Sequence, residues 1–509
     1  MQYNLFASSH HLTHVETHLK QGLDIGSASV LNESLADQKL KLNFDIGDIT
    51  DKRGPLQRLL QSLSGRGGIK PMTEIALPLM ISTSTVAILM FIDRLYLKQV
   101  SQEAMNACLS GGLTSFAFVS FFMGIIGFGT ALVAQNFGAK RYNLCPVVLT
   151  QCLLFCCFST PIILALIPLG RWVLGTVGLS PGETEQAQTY LTILMAGTVF
   201  DMFKNSFNSY FGGLGKTKVV LLATFTMALA NIGANYVLIF GKFGFPTLGI
   251  AGAGYGTIFA WFIGLVTLII VYLGQRKSPE YQLLKSFRID LGILKNLIRF
   301  GFASGVEIVL LIFAIDLIML NFKSYGIGVS TAITVFITWI QTLHIPLIGL
   351  EIGTMALTGK FIGAHDTDSA SDSVFSGLTL ASFYSLIAGL AFLFATSTMV
   401  EVFLDSNTPK PIFDLAIWGI KLCAFALFIL AWSGIIGGAL RGAGDTYGVM
   451  TIFAVFWWFQ FLIVYILINL TKLEPDEVLA CHIFSSPILL FAMLVRFRSG
   501  VWRRFSLAQ

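Results

Sequence analysis

FGGLGKT (211–217) and LRGAGDT (440–446) stand 229 residues apart, and the way they are read decides how the chain is built. Taken alone, the first ends like a nucleotide-binding phosphate loop. That motif needs a glycine at position 210, a strand before it and a soluble helix after it. Position 210 is Tyr210, and the apolar run VVLLATFTMALANIGANYVLIF (219–240) follows. The second stretch supplies a better reading. Gly213 pairs with Gly442, Gly215 with Gly444 and Thr217 with Thr446, while Lys216 pairs with Asp445. A phosphate-binding lysine would not be exchanged for an acid at an equivalent position. Two further pairs keep the same order: ALVAQNFGA (131–139) with ALTGKFIGA (356–364), offset by 225, and Asp93 with Asp316, offset by 223. Ordered matches at a nearly constant offset indicate a duplicated unit. The glycines are then expected to make a tight turn, once per copy.

The 509 residues are 55% hydrophobic and 12% charged, against about a quarter charged in an ordinary soluble domain. Long apolar runs recur, each near the ~20 residues that cross a bilayer as a helix. They do not alternate as barrel strands would. The expectation is an all-α membrane protein of about twelve transmembrane helices, from roughly 73–93 to 478–496, in two pseudo-symmetric six-helix lobes. The boundaries expected are a polar N-terminal tail (1–70), a first lobe (71–273), a polar linker (274–296), a second lobe (297–497) and a basic C-terminal tail (498–509). Alternate loops counted from the N-terminal side carry sixteen Lys and Arg, the others eight. That bias places both termini in the cytoplasm, in a plasma membrane such as the bacterial inner membrane. Because each half crosses an even number of times, the halves share one orientation and an axis along the membrane normal relates them. The seven cysteines form no C-x-x-C pair and read as apolar packing residues. His10, His11, His14 and His18 sit in the polar tail, where their spacing is weak evidence for a metal; an amphipathic segment is expected near Leu56–Leu63.

Several stretches together resemble the multidrug and toxic compound extrusion (MATE) family. They are ALPL (76–79) followed by Asp93, GTALVAQNFGAKR (129–141), GGLGKTK (212–218), NIGANYVLIFGKFGFPTLGIAGAGYGT (231–257) and LRGAGDT (440–446). The resemblance covers about residues 70–500. It implies a V-shaped pair of six-helix bundles whose central cavity opens alternately to either side. It also implies export of organic cations driven by inward flow of Na⁺ or H⁺. No enzyme activity, nucleotide, nucleic acid or cofactor beyond the coupling ion is expected, and the expected partners are small organic cations and the bilayer, with the chain a monomer.

Charges inside spans are costly and so point to function or pairing. They are Asp93, Asp201, Lys204, Glu307, Asp316 and Glu351. Asp93 matches the family's first-span acid. A carboxylate in low dielectric is costly to leave bare, so it takes a proton or a cation such as Na⁺. Arg94 departs from the small polar residue usual after this acid, and could pair with it. Asn231 and Asn235 lie on one face of the fifth span. With Thr257 they match family positions that complete the first lobe's ion site. The same three could also simply bond helices together. The second lobe departs further. Ala303 stands where many members have Pro, and Leu311 and Leu430 stand where members carry acids. Glu307 could substitute. Glu307, Asp316, Asp201 and Gln341 are expected at the substrate cavity, with Asp201 and Lys204 able to form an i, i+3 ion pair. Trp339 and His344 also face the candidate cavity or pack. A flippase of lipid-linked glycan precursors would want a basic cavity, and a scaffold would want no intramembrane acids; the acids favour export.

Overall fold

The computed structural model describes residues 65–404 and 408–505, which are helical with short turns between. The tail histidines and the Leu56–Leu63 segment lie outside the described residues. The first lobe comprises α1 (Ile69–Lys98), α2 (Gln102–Gly127) continued by α3 (Gly129–Gly138), α4 (Cys145–Thr176), α5 (Pro181–Gly213), α6 (Thr217–Phe240) and α7 (Gly249–Gly274). The second comprises α8 (Leu291–Phe322), α9 (Ile327–Gly363), α10 (Thr367–Phe394), the short α11 (Thr396–Glu401), α12 (Lys410–Ala443), α13 (Thr446–Asn469), and α14 (Pro475–Phe484) continued by α15 (Pro487–Arg498). Eleven spans among the described residues are long and apolar enough to cross a bilayer. The twelfth expected span is α5, whose 33 residues suffice in length but include Asp201, Lys204 and several amides.

Local signals set the ends. Ser101 caps α2 by accepting from Ala104 N at 3.0 Å, and Asp366 caps α10 by accepting from Ser369 N at 3.0 Å. The last span is broken before Pro487, which has no amide hydrogen to continue the ladder. Part of the basic C-terminal stretch packs on the last span. Trp502 is 1% exposed and stacks on Phe497 with ring centroids 5.1 Å apart. The linker is also docked, since Tyr281 and Leu283 are buried and Gln151 Nε2 donates to Arg288 O at 2.8 Å.

The duplication is visible in three dimensions. α2 packs on α5 as α9 packs on α12, and α1 on α6 as α8 on α13. Gly215 (φ +72°) and Gly444 (φ +107°) both take the left-handed conformation that ends one helix before the next begins. Their neighbours Gly213 and Gly442 have a different reason. A Cβ on Gly213 would strike the Thr130 carbonyl, and one on Gly442 the Met355 carbonyl. Thr130 and Met355 are themselves 225 apart, so each pair records the same helix contact in its own lobe.

The lobes meet through the same symmetry. A Cβ on Gly138 would collide with the Lys360 carbonyl, and one on Gly363 with the Gln135 carbonyl. Gly138 pairs with Gly363 and Gln135 with Lys360 at the 225 offset, so one contact is made twice. Gly124 against Gly305 and Gly349 against Met80 repeat the pattern deeper in. Gln135 Nε2 also donates to the carbonyls of Gly442 (2.9 Å) and Ala443 (3.1 Å), and Ser376 Oγ to Gly67 O (2.8 Å). These approaches use the first half of α1 and α8 and the last part of the second and eighth spans. They therefore lie in the half of the bundle that holds the start of α1 and the end of α15. Asp93, near the far end of α1, lies in the other half.

Candidate functional site

Asp93 is 7% exposed, and its charge is met by an amide rather than by a cation. Asn235 Nδ2 donates to Asp93 Oδ1 at 2.6 Å, joining α6 to α1. Neighbouring positions on a helix point about 100° apart, and among the described residues Arg94 forms no ion pair with Asp93. Asn231, one turn before Asn235, places Nδ2 3.5 Å from Thr257 Oγ1 of α7, and Thr257 Oγ1 donates to Ala253 O at 2.9 Å. Gly256 makes room for this arrangement, because a Cβ there would overlap Asn235 Oδ1. The structure thus brings Asp93, Asn231, Asn235 and Thr257 together at the junction of α1, α6 and α7.

The donor set is left incomplete in a specific way. The Oδ1 atoms of Asn231 and of Asn235 are buried and accept no hydrogen bond within the protein. These two amide oxygens, on the same face of α6 as the Nδ2 that holds the buried carboxylate, are side-chain oxygens of the kind a hard cation or a proton network uses. Tyr190 of α5 adds to it: it is 5% exposed and lies beside Cys108 and Thr257, within electrostatic reach of Asp93. Sequence reasoning missed Tyr190, because an aromatic in a span ordinarily signals packing.

The second lobe is built differently at the matching place. Asp316, the repeat partner of Asp93, is exposed rather than buried, as is Gln341. Glu307 is 6% exposed and does not face open space. It receives Arg441, whose guanidinium bonds Glu307 Oε1 with Nη2 and Glu351 Oε1 with Nη1. Arg441 lies in the last turn of α12 and turns inward, with the Phe453 ring centroid 5.7 Å from its Cζ. This accounts for Glu351, for which the sequence offered no partner. Close packing of α9 on α12 at Gly438, where a Cβ would strike the Glu351 carbonyl, brings acid and arginine together. Glu307 Oε2 remains buried without a partner. Ala303 is buried, and Leu311 and Leu430 are half-buried, so no acid substitutes at those positions.

Asp201 and Lys204 are ion-paired at 2.5 Å, and Asn205 Nδ2 donates to Asp201 Oδ1 at 3.2 Å. Trp339 Nε1 donates to Met399 O at 3.0 Å and its ring packs edge-on against Phe403. The GKT end of the opening stretch carries none of the phosphate-loop context. A helix precedes it, and Lys216 is the residue before α6, with no side-chain cap.

Comparison with known proteins follows the same architecture. A family model described as MatE matches residues 78–237 and 304–466, one block in each lobe. The "Probable multidrug resistance protein NorM" of Thermotoga maritima is 24% identical over 454 residues, 86% of this chain and 93% of the relative. A protein of the same name from Halalkalibacterium halodurans is 28% identical over 416 residues, 79% of this chain and 88% of the relative. A solved structure of the outward-facing conformation of a multidrug resistance MATE family transporter superposes with a TM-score of 0.78 at 18% identity, covering 87% of this chain and 98% of that one. A transporter from Pyrococcus furiosus, whose binding pocket is described as having reverse polarity, gives a TM-score of 0.76 at 18% identity over 88% and 99%.

Proposed function

The chain belongs to the MatE family, and from that premise we propose that it is a multidrug efflux transporter that exports amphipathic organic cations in exchange for inward H⁺ or Na⁺. The observation that carries the coupling is the buried Asp93 held by Asn235, with the side-chain oxygens of Asn231 and Asn235 unpaired on the same helix. A carboxylate so placed favours a bound proton or a small hard cation over an empty state, because an uncompensated charge in low dielectric is costly. Asp93 holds the ion; Asn235 orients the carboxylate; Asn231 and Thr257 supply further oxygens.

Alternating access fits the way the lobes touch. With both termini in the cytoplasm, as the Lys and Arg bias favours, the half in which the lobes pack is the cytoplasmic half, and Asp93 stands in the half toward the outside. An ion entering from outside reaches Asp93 before the lobes part on the inner side. Acids and aromatics suit cationic, apolar substrates; Asp316 and Gln341 are exposed, whereas Glu307 and Asp201 are engaged in ion pairs. The experiment is efflux of a cationic dye from proteoliposomes with Na⁺ and pH gradients imposed separately. One gradient should drive it and the other should not.

A further inference from the structure

Leu214, Gly215, Lys216 and Thr217 line a cavity where the two lobes meet. The cavity measures about 960 Å³ at the end of the bundle near the start of α1, and is lined by Lys216 and Lys218 of the first lobe and Lys360 of the second. Arg66 and Lys140 complete a set of five cations, against two acids, Glu74 and Asp366. Asp366 is already committed, since its Oδ1 caps α10. Among the described residues none of the five cations has an ion-pair partner. Lys216 lies over the Tyr281 ring at 5.1 Å and Lys360 over Phe137 at 5.6 Å. These contacts fix the ammonium groups without cancelling their charge.

The duplicate shows that this is not a general property of the loop. Asp445 stands at the position equivalent to Lys216, and Arg496 closes on it with two bonds, Nε to Oδ2 at 2.7 Å and Nη2 to Oδ1 at 2.8 Å. The second lobe neutralises its loop charge within itself. The first lobe leaves its charge open toward the cavity. Burial also lowers the Lys216 pKa below the usual lysine value, an expense that a neighbouring anion would offset.

We propose that this cavity binds a phosphate-bearing anion that bridges the lobes, with Lys140, Lys216 and Lys218 from the first and Lys360 from the second. Several lysines converging on one volume of this size suit a multiply charged phosphate group. The group could be carried by an anionic phospholipid headgroup or by a soluble phosphate compound. Because the ligand contacts both lobes where they are packed, its binding stabilises the closed end. This site does not depend on whether Asp93 couples transport.

The test uses the full chain in neutral detergent and follows thermal unfolding. One arm adds pyrophosphate against chloride at matched ionic strength. The other adds phosphatidylglycerol against phosphatidylcholine in mixed micelles. Stabilisation in the first arm assigns a soluble phosphate; stabilisation in the second assigns a headgroup; stabilisation in both assigns the shared phosphate chemistry. The variant Lys216→Gln/Lys360→Gln should raise the half-saturating concentration about tenfold, since it removes two charge-assisted contacts. Lys242→Gln, in the α6–α7 connection at the other end of the bundle, should leave it unchanged. No stabilisation in either arm, or an equal response of wild type and the double variant, overturns the proposal.

Discussion

Asn235 and Asp93, 142 residues apart in sequence, form a 2.6 Å hydrogen bond that ties α6 to α1 inside the first lobe. The bond satisfies one carboxylate oxygen but brings no positive charge. An exchanging proton or cation is the compensation that the proposed coupling role assigns to it.

Asn235→Ala removes the donor that orients the carboxylate and one of the two unpaired carbonyl oxygens. Efflux at a fixed ion gradient should fall about tenfold, equivalent to roughly 1.4 kcal/mol, and the ion concentration for half-maximal rate should rise. A purely structural role would instead lower Tm and leave the ion dependence of the folded fraction unchanged. Ion titrations of proteoliposome flux, with Tm in detergent alongside, separate these outcomes.

Arg441→Met leaves the buried Glu307 and the half-buried Glu351 with no cation between them. Removing one partner of a buried ion network costs about 3–5 kcal/mol, so the variant should unfold at markedly lower temperature. Adding Glu307→Gln and Glu351→Gln should recover most of the loss, because the uncompensated charge goes with them. Tm of the single and triple variants in detergent measures this. Equal Tm values for the two would contradict the network.

Gly363→Val places a side chain against the Gln135 carbonyl and should prop the lobes apart at their packed end. Ser376, buried and bonded to Gly67 O at a neighbouring contact between the lobes, reports on it. In a Ser376→Cys background, maleimide should label the cysteine slowly in the parent and several-fold faster once Gly363→Val is added. Unchanged labelling would show that the glycine pair does not control closure.

Much of the architecture could be read from the sequence because it rests on local composition and on order. Span lengths follow from apolar runs, and the duplication follows from three short matches at a near-constant offset. The two-fold contact of Gly138 with Lys360 and of Gly363 with Gln135 uses residues inside one of those matches, yet which residues touch depends on packing that sequence does not carry. The first-lobe cluster was accessible for a related reason: Asn231 and Asn235 share a helix face, and Asp93 and Thr257 sit in recognisable stretches. The second-lobe network was not. Glu351 and Arg441 are 90 residues apart on helices whose approach depends on Gly438, and Arg441 near a span end looks like a loop charge. Tyr190 carries no signal that separates a site residue from packing.

The most direct test of the account is cation-driven dye efflux by Asp93→Asn in proteoliposomes, with the variant's expression, membrane insertion and Tm measured in parallel. Asparagine keeps the shape and can still bond Asn235, but it cannot carry a proton or balance a cation. The account predicts a folded protein whose efflux falls to the level of empty liposomes under both Na⁺ and pH gradients. Efflux at the wild-type rate in that variant would contradict the assignment of Asp93 as the coupling residue.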